Sequence, residues 1–253
     1  MLNLDTEEWG SFYIGCAGGI DYEITGPVQV SQSSWKTPVT MKLMVSGFLG
    51  GHSGVDIHEQ RGNALKFLAE ILSELPAENL MLHEIRGGKA HNIIPRDAWA
   101  TVSLEKGHVA ALEGAIGAVR KRWVSFLPIN DQAFKATLTE ADDSFEGLSG
   151  EKLKTILSFL NAFPHGAHKY DLASHRELVS LSNNLALCYL VKDQFYVQTS
   201  LRFFDRQECV TLETQVRALS QMCGLKAEKH GAYPRWKPVR ENKLLEQIAS
   251  IYQ

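Results

Sequence analysis

Thr40-Met41-Lys42-Leu43-Met44-Val45-Ser46-Gly47-Phe48 reads as a strand, and a definite order of elements follows it. Ala64, Leu65, Leu68, Ile71-Leu72 and Leu75 recur at helical spacing over residues 61–75. Strands are predicted at 79–85 and 98–105, and a second helix at 109–124 with Leu112, Ile116, Val119 and Trp123 on one face. A strand at 132–139 closes the run. Strand, helix, strand, strand, helix, strand is the ferredoxin-like split βαβ order.

Downstream the pattern returns in shortened form. A helix at 151–163 carries Leu153, Ile156-Leu157, Leu160 and Phe163, and strands follow at 185–192 and 195–204. Between those strands Val191-Lys192-Asp193-Gln194-Phe195 reads as a tight hairpin turn. The helix at 208–223 places Cys209, Leu212, Val216, Leu219 and Cys223 together, Gly224 marks its stop, and a strand at 225–229 ends the series. This is the same unit without its first strand. The fold class expected is α+β, a pseudo-repeat of about 40–140 and 150–230 with antiparallel sheet covered by helices on one face.

Two segments interrupt the pattern. Gly231-Ala232-Tyr233-Pro234-Arg235-Trp236-Lys237-Pro238 suits a stiff crossing between domains, and glycine-rich 15–26, followed by Pro27, suits its counterpart. The domain division expected is 1–23, 24–232 and 233–253, the central piece inserted into another domain. Met1-Leu2-Asn3-Leu4 resembles the tail of a buried strand, and helical spacing at Leu244, Leu245, Ile248 and Ile251-Tyr252 runs up to Gln253 without a cap, so a fragment is expected.

Composition narrows the class. Of 253 residues 44% are hydrophobic and 22% charged, which excludes a disordered, collagen-like or disulfide-stapled chain. A net charge of −3 without a basic stripe argues against a nucleic-acid partner. No apolar run is long enough to span a membrane, and no leader pattern opens the chain. Cys16, Cys188, Cys209 and Cys223 form no CxxC pair, so a reduced, cytoplasmic protein is expected.

Four positions could carry chemistry. In Gly50-Gly51-His52-Ser53-Gly54 three glycines bare one imidazole, which suits donation to a developing oxyanion and equally suits a surface loop. Asp5 follows an apolar strand end, where a carboxylate can hold a cation or cap a helix. Arg202 shares the polar face of its strand with Tyr196, Gln198 and Ser200, opposite Val197, Thr199, Leu201 and Phe203. A guanidinium there can grip a carboxylate bidentately, although surface arginines of this kind are common. Asn92, in His91-Asn92-Ile93-Ile94-Pro95, fits turn chemistry as well as ligand contact. His52, Asp56 and His58 have neither the HExxH pattern nor a further distant ligand, so they do not make a closed zinc site.

Taken in order, Leu2-Asn3-Leu4-Asp5-Thr6-Glu7-Glu8, Gly15-Cys16-Ala17-Gly18-Gly19, the His52 motif, Arg61-Gly62-Asn63-Ala64, Asn92-Ile93-Ile94-Pro95, Arg202 in its strand and Gly231-Ala232-Tyr233-Pro234 resemble the aminoacyl-histidine dipeptidases. Those enzymes belong to the co-catalytic zinc peptidases that include glutamate carboxypeptidase and aminoacylase. The resemblance implies a two-zinc hydrolase of Xaa-His dipeptides whose catalytic domain is interrupted by a doubled ferredoxin-like lid. It implies Asp5 as a zinc ligand, His52 as oxyanion stabiliser, Asn92 as a substrate contact and Arg202 as the holder of the substrate carboxylate. It also implies a homodimer through the lid.

The family's other metal ligands and its glutamate base have no match in these residues. The chain by itself is therefore expected neither to hold the zinc pair nor to turn over substrate. Two other classes stay open: a non-enzymatic ferredoxin-like dimerisation module, and an RNA-binding sheet, which the acidic balance disfavours.

Overall fold

The computed structural model describes residues 13–33, 35, 37–142, 144, 146–171, 178–236 and 243–252. In chain order the strands are Gly18–Pro27 (β1), Ser31–Gln32 (β2), Pro38–Ser46 (β3), Gly51–His52 (β4), Met81–Gly87 (β5), Ile93–Ile94 (β6), Ala98–Glu105 (β7), Lys135–Glu140 (β8), Glu146–Gly147 (β9), Gly166–Tyr170 (β10), Val179–Val191 (β11), Gln194–Phe203 (β12) and Lys226–Tyr233 (β13). The α-helices are Ala64–Ser73 (α1), Val109–Val124 (α2), Gly150–Ala162 (α3), Arg206–Met222 (α4) and Lys243–Tyr252 (α5).

One antiparallel sheet runs β13-β1-β12-β11-β5-β7-β3-β8, with β10 also on β11. It contains two ferredoxin-like units. In the first, β3, β5, β7 and β8 lie in the order second, third, first, fourth, and α1 and α2 fill their expected places. The second unit repeats that order with β1, β11, β12 and β13. Its missing first strand is therefore β1, and the whole first unit is inserted between β1 and α3.

This corrects the reading of residues 15–26 as a crossing. Ile20, Tyr22 and Ile24 alternate into the core while Asp21 and Glu23 face away, a half-buried strand despite its glycines. The expected crossing at 231–238 is likewise strand as far as Tyr233, which pairs with Gly19. Residues 24 and 232 thus lie inside neighbouring strands, and the second unit reaches from Gly18 to Tyr233. β10 was not foreseen. The hairpin at 191–195 forms, with Lys192 at φ 57° in its turn.

Helices α1–α4 cover one face of the sheet around a shared core. Asn63 caps α1 by accepting from Leu65 N at 2.9 Å, and Ala64, Leu65, Phe67, Leu68, Ala69, Ile71 and Leu72 are buried, as befits a helix between two others. Phe48 stacks on Phe134 at 4.3 Å and meets Phe67 edge-on at 5.8 Å, so the chain leaving β3 is fixed in the core. The opposite sheet face is open, with Tyr189 stacked on Tyr196 at 4.7 Å and Lys42 over Trp99 at 4.2 Å. No α-helix among the described residues is long and apolar enough to cross a membrane, and the four cysteines are free thiols.

Candidate active site

His52 sits on the loop between β3 and α1, and that loop is closed at its base by one carboxylate. Asp131, 1% exposed, accepts from Leu49 N through Oδ1 and from Gly62 N through Oδ2, both at 2.6 Å. Inside the loop, Asp56 Oδ2 accepts from His52 N at 2.7 Å and Asp56 Oδ1 from Arg61 Nη2 at 3.1 Å. Arg61 also donates to Gly50 O at 2.5 Å and to Glu59 at 2.8 Å. Gly51 is required at φ 129°: a Cβ would lie 2.3 Å from both Arg61 Nη1 and Asp56 Oδ2.

The loop also sets the His52 tautomer. Gly54 N donates to His52 Nδ1 at 3.2 Å, which makes Nδ1 the acceptor and places the proton of the neutral ring on Nε2. The exposed residue therefore presents a donor outward. Its neighbours Asp56 and His58 are committed to the loop itself, since His58 Nδ1 donates to Val55 O at 2.9 Å. Among the described residues no group of three or more His, Cys, Asp or Glu side chains could hold a metal ion. Asp5, the expected zinc ligand, lies outside the described residues.

Hydrogen bonds tie the His52 loop to the Asn92 segment and that segment to β11, the strand paired with the one that carries Arg202. His52 pairs with Ile93 in the β4–β6 ladder, and Ser53 N donates to Asn92 O at 2.8 Å. Asn184 of β11 holds the same segment, its Nδ2 donating to His91 O at 3.1 Å and Ile93 O at 2.8 Å. In the sheet Asn184 lies opposite Ser200, and Ser182 opposite Arg202. The first unit thus supplies His52 and Asn92, and the second supplies Arg202.

Arg202 lies on the open sheet face as its alternation requires. Its guanidinium rests over the Tyr233 ring at 5.1 Å, and its Nε is buried without a hydrogen-bond partner. Burial pushes its pKa below the ordinary arginine value, while nearby Asp21 acts in the opposite direction.

Asn184, Ser200, Asp131 and the Arg61–Asp56 clamp were not singled out from sequence. One usable signal existed for Asn184: the pair Asn183-Asn184 breaks the alternation of a largely apolar strand, a local conflict of the kind that accompanies function.

A cleft of about 310 Å³ lies behind the His52 loop, lined by Arg61, Asn63, Lys66, Trp123, Phe126 and His165 among others. Its polar groups are engaged in holding the fold. Lys66 donates to the carbonyls of Leu160, Asn161 and Phe163 at the end of α3, and burial lowers its pKa to about 8. His165 Nδ1 accepts from Leu185 N at 3.2 Å, a bond that protonation at Nδ1 would break.

Burial, with Lys66 and His168 nearby, lowers the His165 pKa from 6.5 to about 3. The folded state favours the neutral ring, so this contribution is complete above pH 6.5 and is lost as pH falls toward 3. His165 keeps partial exposure at the cleft, which reduces the total contribution, while the slope inside the window is at most about 1.4 kcal/mol per pH unit. Urea midpoints between pH 6.5 and 4.5 should fall less steeply for His165→Gln than for the unmodified protein. Equal slopes would show that this ring is not the group responsible.

Residues 43–125, most of the first unit with the His52 loop and Asn92, match the family described as the peptidase dimerisation domain. Across its whole length the chain is 28% identical to the cytosol non-specific dipeptidase of Escherichia coli strain K12, covering 52% of that protein. The solved aminoacylhistidine dipeptidase of Vibrio alginolyticus superposes on 98% of the chain with a TM-score of 0.88 and 27% identity, and 51% of that chain is covered. The chain thus spans about half the length of these relatives, both dipeptidases. The inserted, doubled architecture extends beyond the matched domain, and the high TM-score shows that the second unit is shared as well.

Proposed function

We propose that these residues are the lid of a zinc-dependent dipeptidase that cleaves Xaa-His dipeptides in the cytoplasm. Arg202 holds the C-terminal carboxylate of the substrate, Asn92 contacts its backbone, and His52 donates from Nε2 to the oxygen of the scissile carbonyl as charge develops there. Asp5 is proposed as a zinc ligand on the strength of the resemblance, and a homodimer through the lid on the strength of the matched domain. The cytoplasmic setting follows the name of the curated relative.

The observation that carries this reading is the buried Nε of Arg202, a charge-bearing donor with no acceptor, one strand away from the residue that anchors the Asn92 segment. A carboxylate supplies two acceptors in the fork geometry that arginine prefers. Calorimetric titration of β-alanyl-histidine and of its C-terminal amide tests it. The amide should bind at least about tenfold more weakly, as loss of a charge-assisted pair requires. Arg202→Met should abolish that difference. Equal affinity for acid and amide would overturn the assignment.

A further inference from the structure

Among the described residues five buried side-chain polar atoms have no hydrogen-bond partner: Ser53 Oγ, His108 Nδ1, Asn184 Oδ1, Ser200 Oγ and Arg202 Nε. Buried polar groups are normally paired, so each exception calls for a reason. Three of the five share one patch on the face of β11 and β12 turned away from the helices, because Asn184 lies opposite Ser200 and Ser182 opposite Arg202. Asn184 and Ser200 are each 1% exposed.

The chemistry of the patch is specific. Both hydrogens of the Asn184 amide go to carbonyl oxygens, of His91 and Ile93, so the carboxamide cannot be flipped and the free atom is the acceptor Oδ1. That oxygen calls for an N–H or O–H. Arg202 Nε, on a diagonal neighbour, calls for an anion. Diagonal positions on an antiparallel pair are about 7–8 Å apart between Cα atoms, roughly the distance from a carboxylate to the end of its own residue's side chain. The Ser200 hydroxyl, beside both, can donate to one group and accept from the other.

We infer that Asn184 and Ser200 read the side chain of the substrate's C-terminal residue, accepting a hydrogen bond from a ring N–H while Arg202 holds that residue's carboxylate. This rests on the carboxylate-binding role proposed for Arg202. It assigns histidine preference to the second unit of the lid, and to one acceptor atom above all. The oxygens are enclosed in the present arrangement, so entry of the ring requires the groups that cover them to shift.

The test varies the ligand first, which leaves the fold untouched. At pH 8, where a free imidazole is neutral, β-alanyl-histidine is compared with its two ring-N-methylated isomers, with β-alanyl-leucine and with its own C-terminal amide. Removing the ring N–H by either methylation, or by leucine, should weaken binding about tenfold or more, because the buried acceptor is left unpaired. Ser200→Ala should narrow that gap, and the Asn184 side-chain amide resonances should move with β-alanyl-histidine but not with β-alanyl-leucine. Should methylated, leucine and unmodified ligands bind alike while the amide stays weak, this inference fails and the Arg202 assignment survives. Should the amide bind as well as the acid, both fall together.

Discussion

Asp131→Ala is expected to destabilise the fold by about 4 kcal/mol, the loss of two hydrogen bonds to a charged acceptor at about 2 kcal/mol each. The carboxylate bonds Leu49 N and Gly62 N at 2.6 Å and thereby closes the loop that carries His52. Alanine would leave both amides without that acceptor, the Gly62 amide buried and the Leu49 amide part-buried. Asp131→Asn keeps one carbonyl oxygen and should lose roughly half as much. Urea midpoints give the first quantity. Hydrogen exchange at Leu49 and Gly62 gives the second, and both amides should lose protection in Asp131→Ala. A loss below about 1 kcal/mol would mean that the loop is held by the Arg61–Asp56 clamp and not by its base.

The importance of Asp131 was not legible in the sequence, and the reason is physical. Its partners are backbone amides far away along the chain, and a backbone amide carries no sequence signature. The elements that were legible draw their stability from local periodicity. The apolar stripe from Ala64 to Leu72 marks α1, and alternation along β12 put Arg202 on the correct sheet face. Lys192-Asp193 between apolar runs marked the hairpin.

β1 failed for the opposite reason. Gly18, Gly19 and Gly26 have little strand preference, and the segment becomes a strand because β12 and β13 lie on either side of it. Pairing of that kind is set by tertiary structure, so the insertion of one unit into the other stayed hidden although the second unit visibly lacked a strand. At the site, His52, Asn92 and Arg202 were legible as residue types in suggestive settings. The link between the units was not, because it depends on Asn184 reaching from one unit to the segment that carries Asn92 in the other.

Since the proposed site draws on both units, the seam between them should matter as much as the side chains. Gly88 lies on that seam, just beyond β5, at φ 81°, and a Cβ there would meet Ala186 O at 1.9 Å. The close approach arises from the irregularity of β11 between Leu185 and Leu187, which leaves Ala186 without a partner on β12 and turns it toward the first unit. Gly88→Ala combines an unfavourable left-handed conformation with a backbone clash, and should cost about 3 kcal/mol or more. Relief of the clash has to come from separation of β5 and β11, whose pairing at Gly87–Cys188 is next to it. Separation would draw Asn92 and His52 away from Arg202. Binding of β-alanyl-histidine should therefore weaken in this variant well below its unfolding midpoint, while the preference for acid over amide, proposed for the second unit alone, persists. A variant that lost stability but bound the dipeptide normally would show that the second unit is sufficient for recognition and that the seam serves stability only.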